Sequence, residues 1–201
     1  VHSIYLSKQE IDIMSLFELH TTETAPEGSR EDINAVQGRF GFLPNIYAVL
    51  AESPAVIKAY NALGNLLTTT SFSPAEQQLM LLTISAVNGC EYCVAAHTMG
   101  GMKAQLDEDV INAVRDGGVI ADPKLAALSN FARSVVEKRG YMTESEIETL
   151  FAAGYSKDQA MEVVMATAMK TISNYINHFA ETPLDDAFSK AAWHAPESKV
   201  A

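Results

Sequence analysis

The chain of 201 residues has a formal charge of −11 and an isoelectric point near 4.8. It has no concentrated Lys/Arg cluster, so a nucleic-acid surface is excluded and attraction to an anionic membrane is not expected. Apolar residues make up 48% and charged residues 19%, a composition that builds a core rather than a disordered chain. The longest apolar runs stop well short of the roughly 20 residues a membrane-spanning helix needs.

One domain over 1–201 is expected, with 1–37 as an N-terminal helical arm and about 38–185 as the core. A cytoplasmic location is also expected, because Val1 to Glu10 lacks the pattern of a signal peptide. Ser53-Pro54 opens a helix. Ser73-Pro74-Ala75-Glu76 opens the next, combining an N-cap Ser, Pro at the first helical position and Glu three residues after the cap. Leu79 to Val87 is apolar nearly all round, which predicts a helix in the middle of a bundle, and Asn88-Gly89 ends it. Asp122-Pro123 starts a further helix. Thr143-Glu144-Ser145-Glu146 and Ser156-Lys157-Asp158-Gln159 repeat the capping pattern, while Gly140 and Gly154 close the segments before them.

Ala160 to Ala168 is again apolar all round, and no alternating strand pattern occurs anywhere, so the reading is all-α. The two apolar segments run into polar stretches at Cys93 and His97 and at Asn174 and His178, each pair four residues apart. This reads as a weak internal repeat in which only the first copy carries thiols. Met161, Met165 and Met169 recur at i+4 spacing and are expected in the core. Helices apolar all round in a chain this short also predict faces buried between subunits.

The chemistry lies in Cys90-x-x-Cys93-x-x-x-His97. If the segment is helical, the three side chains fall within a face roughly 60° wide and can meet in one pocket. His97, at i+4 from Cys93, can take its proton directly or through one water. Cys90 follows Asn88-Gly89 and so sits at a helix start, where free N–H groups favour an anionic sulfur. A thiolate attacks peroxide oxygen or a disulfide, and a second cysteine one turn away traps the sulfenic acid before over-oxidation. Cys93 is assigned as the attacking thiol and Cys90 as the resolving thiol nearer the surface; the reverse order stays open. A bridge between them would close too small a loop to act as a structural staple. Zinc is the rival for the same three residues, but a closed site needs a fourth ligand, which only His178, His194, His20 or His2 could supply. Inert core cysteines are the other alternative.

The run Ser73 to Leu79 continuing through Asn88-Gly89-Cys90-Glu91-Tyr92-Cys93-Val94-Ala95-Ala96-His97 closely resembles the alkylhydroperoxidase D-like members of the carboxymuconolactone decarboxylase family. Gly41-Phe42-Leu43-Pro44-Asn45, Ser53-Pro54, Gly154-Tyr155-Ser156 and Asn174-Tyr175-Ile176-Asn177-His178 resemble its peroxidase-related branch, so the likeness covers about Gly38 to Asp185. It implies an AhpD-like helical bundle, homo-oligomers (trimers or hexamers), and cofactor-free peroxidase activity at Cys90, Cys93 and His97. The family's orienting Glu is Gln78 here. A neutral amide can orient an imidazole but does not stabilise the imidazolium as a carboxylate does, which predicts weaker thiolate formation. Tyr92 stands where some members have His, as a hydrogen-bond donor or a packing residue. Glu76 is a candidate substitute carboxylate, although its position favours capping. Glu91 reads as a first-turn residue, with proton transfer as its alternative role, and Asn174 and His178 as satisfied polar groups in a helix interface.

The leading expectation is a hydroperoxide reductase that cycles through a Cys90–Cys93 disulfide, served by a thiol or protein reductant, with neither cofactor nor metal. The alternatives are a protein-disulfide reductant or adaptor, which requires an exposed Cys90, and a non-enzymatic redox-sensing oligomer. The family's lactone decarboxylases do not depend on a Cys-x-x-Cys pair, so its presence favours redox chemistry.

Overall fold

The structure is a computed structural model and describes residues 16–196. Among these, a 3-10 turn at Glu27–Ser29 leads into α1 (Arg30–Phe40), α2 (Asn45–Leu50), α3 (Pro54–Leu67), α4 (Pro74–Val87), α5 (Glu91–Lys103), α6 (Glu108–Asp116), α7 (Pro123–Glu137), α8 (Glu144–Ala152) and α9 (Lys157–Ala180), with a second 3-10 turn at Asp186–Ala191. The fold is all-α, as expected. No helix among the described residues is long and apolar enough to cross a membrane.

The capping pattern works as the sequence indicates. Ser53 Oγ accepts from the Val56 amide, Asp122 caps α7, and Ser73/Glu76, Thr143/Glu146 and Ser156/Gln159 form complete capping boxes. Each satisfies amides that have no partner within their own helix, and removing such a cap costs about 1 kcal/mol. Helix α4 is the central element, packed against α5, α6, α7 and α9. Every residue from Leu79 to Ala86 is buried, and the Thr83 hydroxyl is paired with that of Ser129 on α7 at 2.9 Å. The all-round apolar pattern of α4 is therefore explained within one chain and requires no partner subunit.

In α9 the outcome differs. Met169 is buried and Met165 is half-buried against the core, but Met161 is 75% exposed. With Val164, Tyr175 and Phe179, all about half exposed, it forms an apolar stripe along the outer face of α9. The expected core role fails for Met161 because the helix turns that position toward solvent. Nor does the repeat extend to local geometry: the first segment breaks into two helices at Gly89, whereas Ala160 through His178 lie in one uninterrupted helix.

The boundary expected at residue 37 falls inside α1, whose Ile33 and Val36 are buried, so 25–37 belongs to the main body rather than to an arm. Residues 1–15 of the expected arm lie outside the described residues. Beyond residue 185, the chain continues as a strap across α5. Arg115 donates to the carbonyls of Ala191 and Ala192 at 2.9 and 3.0 Å, and Trp193 Nε1 donates to the Arg115 carbonyl at 3.0 Å.

Candidate active site

The cysteine pair sits at the break between α4 and α5. Gly89 adopts φ 70°, which is cheap only for glycine. The amides of Gly89 and Cys90 turn back to the carbonyls of Ala86 (3.3 Å) and Ser85 (3.0 Å). This double closure is a Schellman motif, and it leaves Cys90 as the residue that both ends α4 and caps α5. Cys93 follows within the first turn of α5 and His97 one turn later. Both thiols are free and buried. Cys90 is 1% exposed against 3% for Cys93, so the expectation that Cys90 lies nearer the surface is not met: Asn177 of α9 packs on its sulfur.

Helix α9 supplies the other half of the site. Lys170, Ser173 and Asn177, at i, i+3 and i+7, share one helical face. Asn177 Nδ2 lies 3.2 Å from Cys93 Sγ and 3.7 Å from Cys90 Sγ, and Ser173 Oγ is 3.9 Å from Cys93 Sγ. Asn174, on the same face, accepts from Asn88 Nδ2 at 2.8 Å and so ties α9 to the helix break. His178, expected beside Asn174 in a helix interface, is instead exposed and stacked on Tyr175.

Lys170 is the least expected member. It is 1% exposed, and its Nζ donates to His97 Nε2 at 2.9 Å. His97 Nδ1 in turn donates to Gln78 Oε1 at 3.0 Å. These two contacts fix the neutral tautomer with the proton on Nδ1. The direct His97-to-Cys93 hydrogen bond expected from i+4 spacing is thus replaced by a chain running Gln78, His97, Lys170 toward the sulfur. Gly100 makes room for it: a Cβ there would stand 2.5 Å from Gln78 Oε1.

The electrostatics follow from this chain. Burial opposes ionisation of Cys93, but the hydrogen bond from the Cys90 thiol, the charge of Lys170 and the Ser173 hydroxyl outweigh it. They hold Cys93 well below the usual thiol range. Cys90 is pushed far up, chiefly because its S–H serves Cys93 and also because it is buried. Burial works against the charge on Lys170, yet the facing sulfurs and Tyr60 keep its pKa above the ordinary lysine value. Burial first, and the Lys170 charge second, push His97 well below its ordinary value, so it remains neutral. A buried ammonium without a counter-ion would cost several kcal/mol. Among the described residues no carboxylate lines this site, which leaves the Cys93 thiolate as the natural partner.

A cavity of about 420 Å³ opens onto this cluster. Phe40, Phe42, Ile46, Tyr47, Tyr60 and Phe188 form its apolar wall, and Gln78, Cys93, His97 and Lys170 form its polar end. Cys93 lines the cavity and Cys90 does not. Tyr92 also borders it, but its hydroxyl donates to Asp185 and accepts from the Ile46 amide at 3.3 Å, while Asp185 accepts from the Asn45 amide at 3.2 Å. Glu91 accepts from the Ala195 amide at 3.0 Å and contacts His194 at 3.3 Å. The two residues between the cysteines therefore anchor the strap, whose Phe188 closes one side of the cavity.

Glu76 is not brought to the site. Its carboxylate completes the capping box, accepts from Tyr155 Oη at 3.0 Å and pairs with Lys124 at 2.9 Å, so capping is what this geometry gives it. The histidines considered as a fourth metal ligand are engaged elsewhere: His20 with Glu52 and Thr24, His194 with Glu91, and His178 with Tyr175. His2 lies outside the described residues.

The all-helical bundle that holds this site is similar to those of AhpD-like proteins. Residues 54–122, which carry the pair, match the model of the carboxymuconolactone decarboxylase family. The AhpD core of an uncharacterised peroxidase-related protein from Ralstonia eutropha JMP134 superposes with a TM-score of 0.77 at 25% identity, over 86% of this chain and 93% of that one. A second peroxidase-related protein, from Silicibacter sp. TM1040, gives 0.71 at 17% identity, over 82% and 88%. The debrominase Bmp8 gives 0.68 at 15% identity, over 82% and 90%, and shares the fold. No functionally curated protein matches the chain.

Proposed function

We propose that this protein is a thiol-dependent hydroperoxide reductase in which Cys93 attacks the peroxide and Cys90 resolves the product as a Cys90–Cys93 disulfide. The observation that carries this reading is the position of Cys93: it is the one sulfur of the pair on an apolar cavity, and Lys170, Ser173, Asn177 and the Cys90 thiol all favour its anionic form. A thiolate next to a thiol that keeps its proton is the pairing peroxide reduction needs. The first attacks, and the second closes the disulfide once sulfenic acid has formed.

The aromatic wall favours a bulky organic hydroperoxide over hydrogen peroxide, since apolar burial adds about 25 cal/mol per Å² to binding only for a substrate with apolar surface. The buried Cys90 counts against a protein-disulfide adaptor, which would need that sulfur at the surface. Steady-state consumption of cumene hydroperoxide with a small dithiol as reductant tests the proposal. Turnover lost in Cys93→Ser supports it, and turnover unaffected by that change overturns it.

A second reading is thiol-based removal of halogen from a small aromatic ring. The aromatic cavity wall favours it, and a protein of the same fold is a debrominase crystallised, as a cysteine-to-alanine variant, with 2,3,4-tribromopyrrole. Bromide release from that pyrrole, with no consumption of hydroperoxide, would favour this reading over the first.

A further inference from the structure

We propose that Lys170 is a catalytic residue, the acid that protonates the oxygen leaving the peroxide; this rests on the hydroperoxide reductase reading above. Lys170 lines the same cavity as Cys93. One of its three N–H bonds is held by His97 Nε2 at 2.9 Å, which leaves the others for the sulfur and for a bound substrate. His97 and Gln78 act as positioning residues that fix where the ammonium points.

The reaction balances around this group. The Cys93 thiolate attacks the terminal oxygen of ROOH: an S–O bond forms, the O–O bond breaks, and the electron pair leaves on RO⁻. Sulfur is oxidised and the peroxide is reduced. RO⁻ takes a proton from the Lys170 ammonium and departs as ROH. Cys90 then attacks the sulfenic sulfur, the S–S bond forms, and hydroxide leaves with the Cys90 proton as water. The two protons that peroxide reduction consumes come from Lys170 and Cys90. The oxidised site is left with a neutral amine and no buried charge.

The order of events follows from burial. While Cys93 is a thiolate, it stabilises the ammonium. Once the sulfur is neutral, Lys170 is a cation 1% exposed in a cavity lined by no carboxylate of the described residues, and desolvation drives its proton off. Lys103, the other ammonium that lines the cavity, is exposed to solvent rather than held at the sulfur, and the remaining groups are poorly placed to donate. His97 Nε2 has no proton to give, and its Nδ1 proton is held by Gln78. The Tyr92 proton is held by Asp185.

The test separates charge from proton donation. Alkylation by iodoacetamide needs the thiolate but no proton, because iodide leaves as it is; peroxide cleavage needs both. In Lys170→Met, measured at a pH high enough to ionise Cys93 fully, alkylation is expected to return to within about 2-fold of wild type. Cumene hydroperoxide oxidation should stay slowed about 100-fold or more, the range general acid catalysis supplies. Lys170→Arg, which keeps the charge but cannot give up a proton, should alkylate rapidly at neutral pH and still oxidise slowly, and it provides the readout if the Met variant does not fold. Oxidation that recovers in step with alkylation would overturn the proposal. A wild-type protein that alkylates at Cys93 yet ignores the hydroperoxide would instead overturn the reductase reading itself, and the acid role with it.

Discussion

Gln78→Glu restores the carboxylate that the resembling family carries, and the sequence alone suggests that it should strengthen the thiolate. The structure reverses this expectation. A carboxylate at Gln78 would lie about 3.0 Å from His97 Nδ1 and favour the imidazolium. The imidazolium, however, would face the Lys170 ammonium at 2.9 Å. At an effective dielectric of ~20, two unit charges at that separation repel by about 6 kcal/mol, and the new attraction to the carboxylate is of the same size. The two cancel, and burial keeps His97 neutral. What remains is an added anion in a site that already holds a thiolate, which raises the Cys93 pKa. The assay is the rate of Cys93 alkylation against pH, read peptide by peptide. Its midpoint is expected to move up in Gln78→Glu. A midpoint that moves down would show that His97 carries the charge opposing the sulfur, and that Lys170 does not.

Three further outcomes follow from the same geometry. Gly100→Ala should destabilise the fold by at most about 2 kcal/mol, since about 1 kcal/mol gained from helix propensity partly offsets the roughly 1–3 kcal/mol lost when Gln78 is displaced from His97. Its alkylation midpoint should rise all the same, and a change in thermal midpoint with no change in alkylation would contradict the chain of contacts. Cys93 is lowered in the folded state, so its contribution to stability is fully present above the unfolded thiol pKa of about 8.5 and is lost as pH falls through the folded value. Thermal stability should therefore climb with pH across that window in the wild type, and this component of the climb should shrink in Lys170→Met, which removes one of the groups that lower Cys93. The apolar stripe of Met161, Val164, Tyr175 and Phe179 is proposed to pack against a second copy of the chain. Sedimentation should show an oligomer that Val164→Asp dissociates, and a wild-type monomer at micromolar concentration would refute this.

The helix starts were legible because caps are local. Ser53, Ser73, Asp122, Thr143 and Ser156 each satisfy amides within three residues of themselves, so sequence neighbours carry the information. Half of the site was legible for the same reason, since Cys90, Cys93 and His97 lie on one short helix. Lys170, Ser173 and Asn177 come from a helix some eighty residues further along, and only tertiary packing brings them to the sulfur. The signal that could have found them was Lys170, which directly follows the mostly apolar run 163–169 and is itself followed by small polar residues at helical spacing. A lysine side chain is almost never buried without a partner, so that position implied an anion facing it. The burial of Cys90 depends on Asn177, 87 residues further along, and nothing in the local sequence of Cys90 indicates that contact.

The most direct measurement of the central claim is mass spectrometry of the reduced protein after one equivalent of cumene hydroperoxide. The account predicts the loss of two hydrogen atoms and a peptide in which Cys90 and Cys93 are joined as a disulfide. Two thiols that remain free and open to alkylation would contradict it.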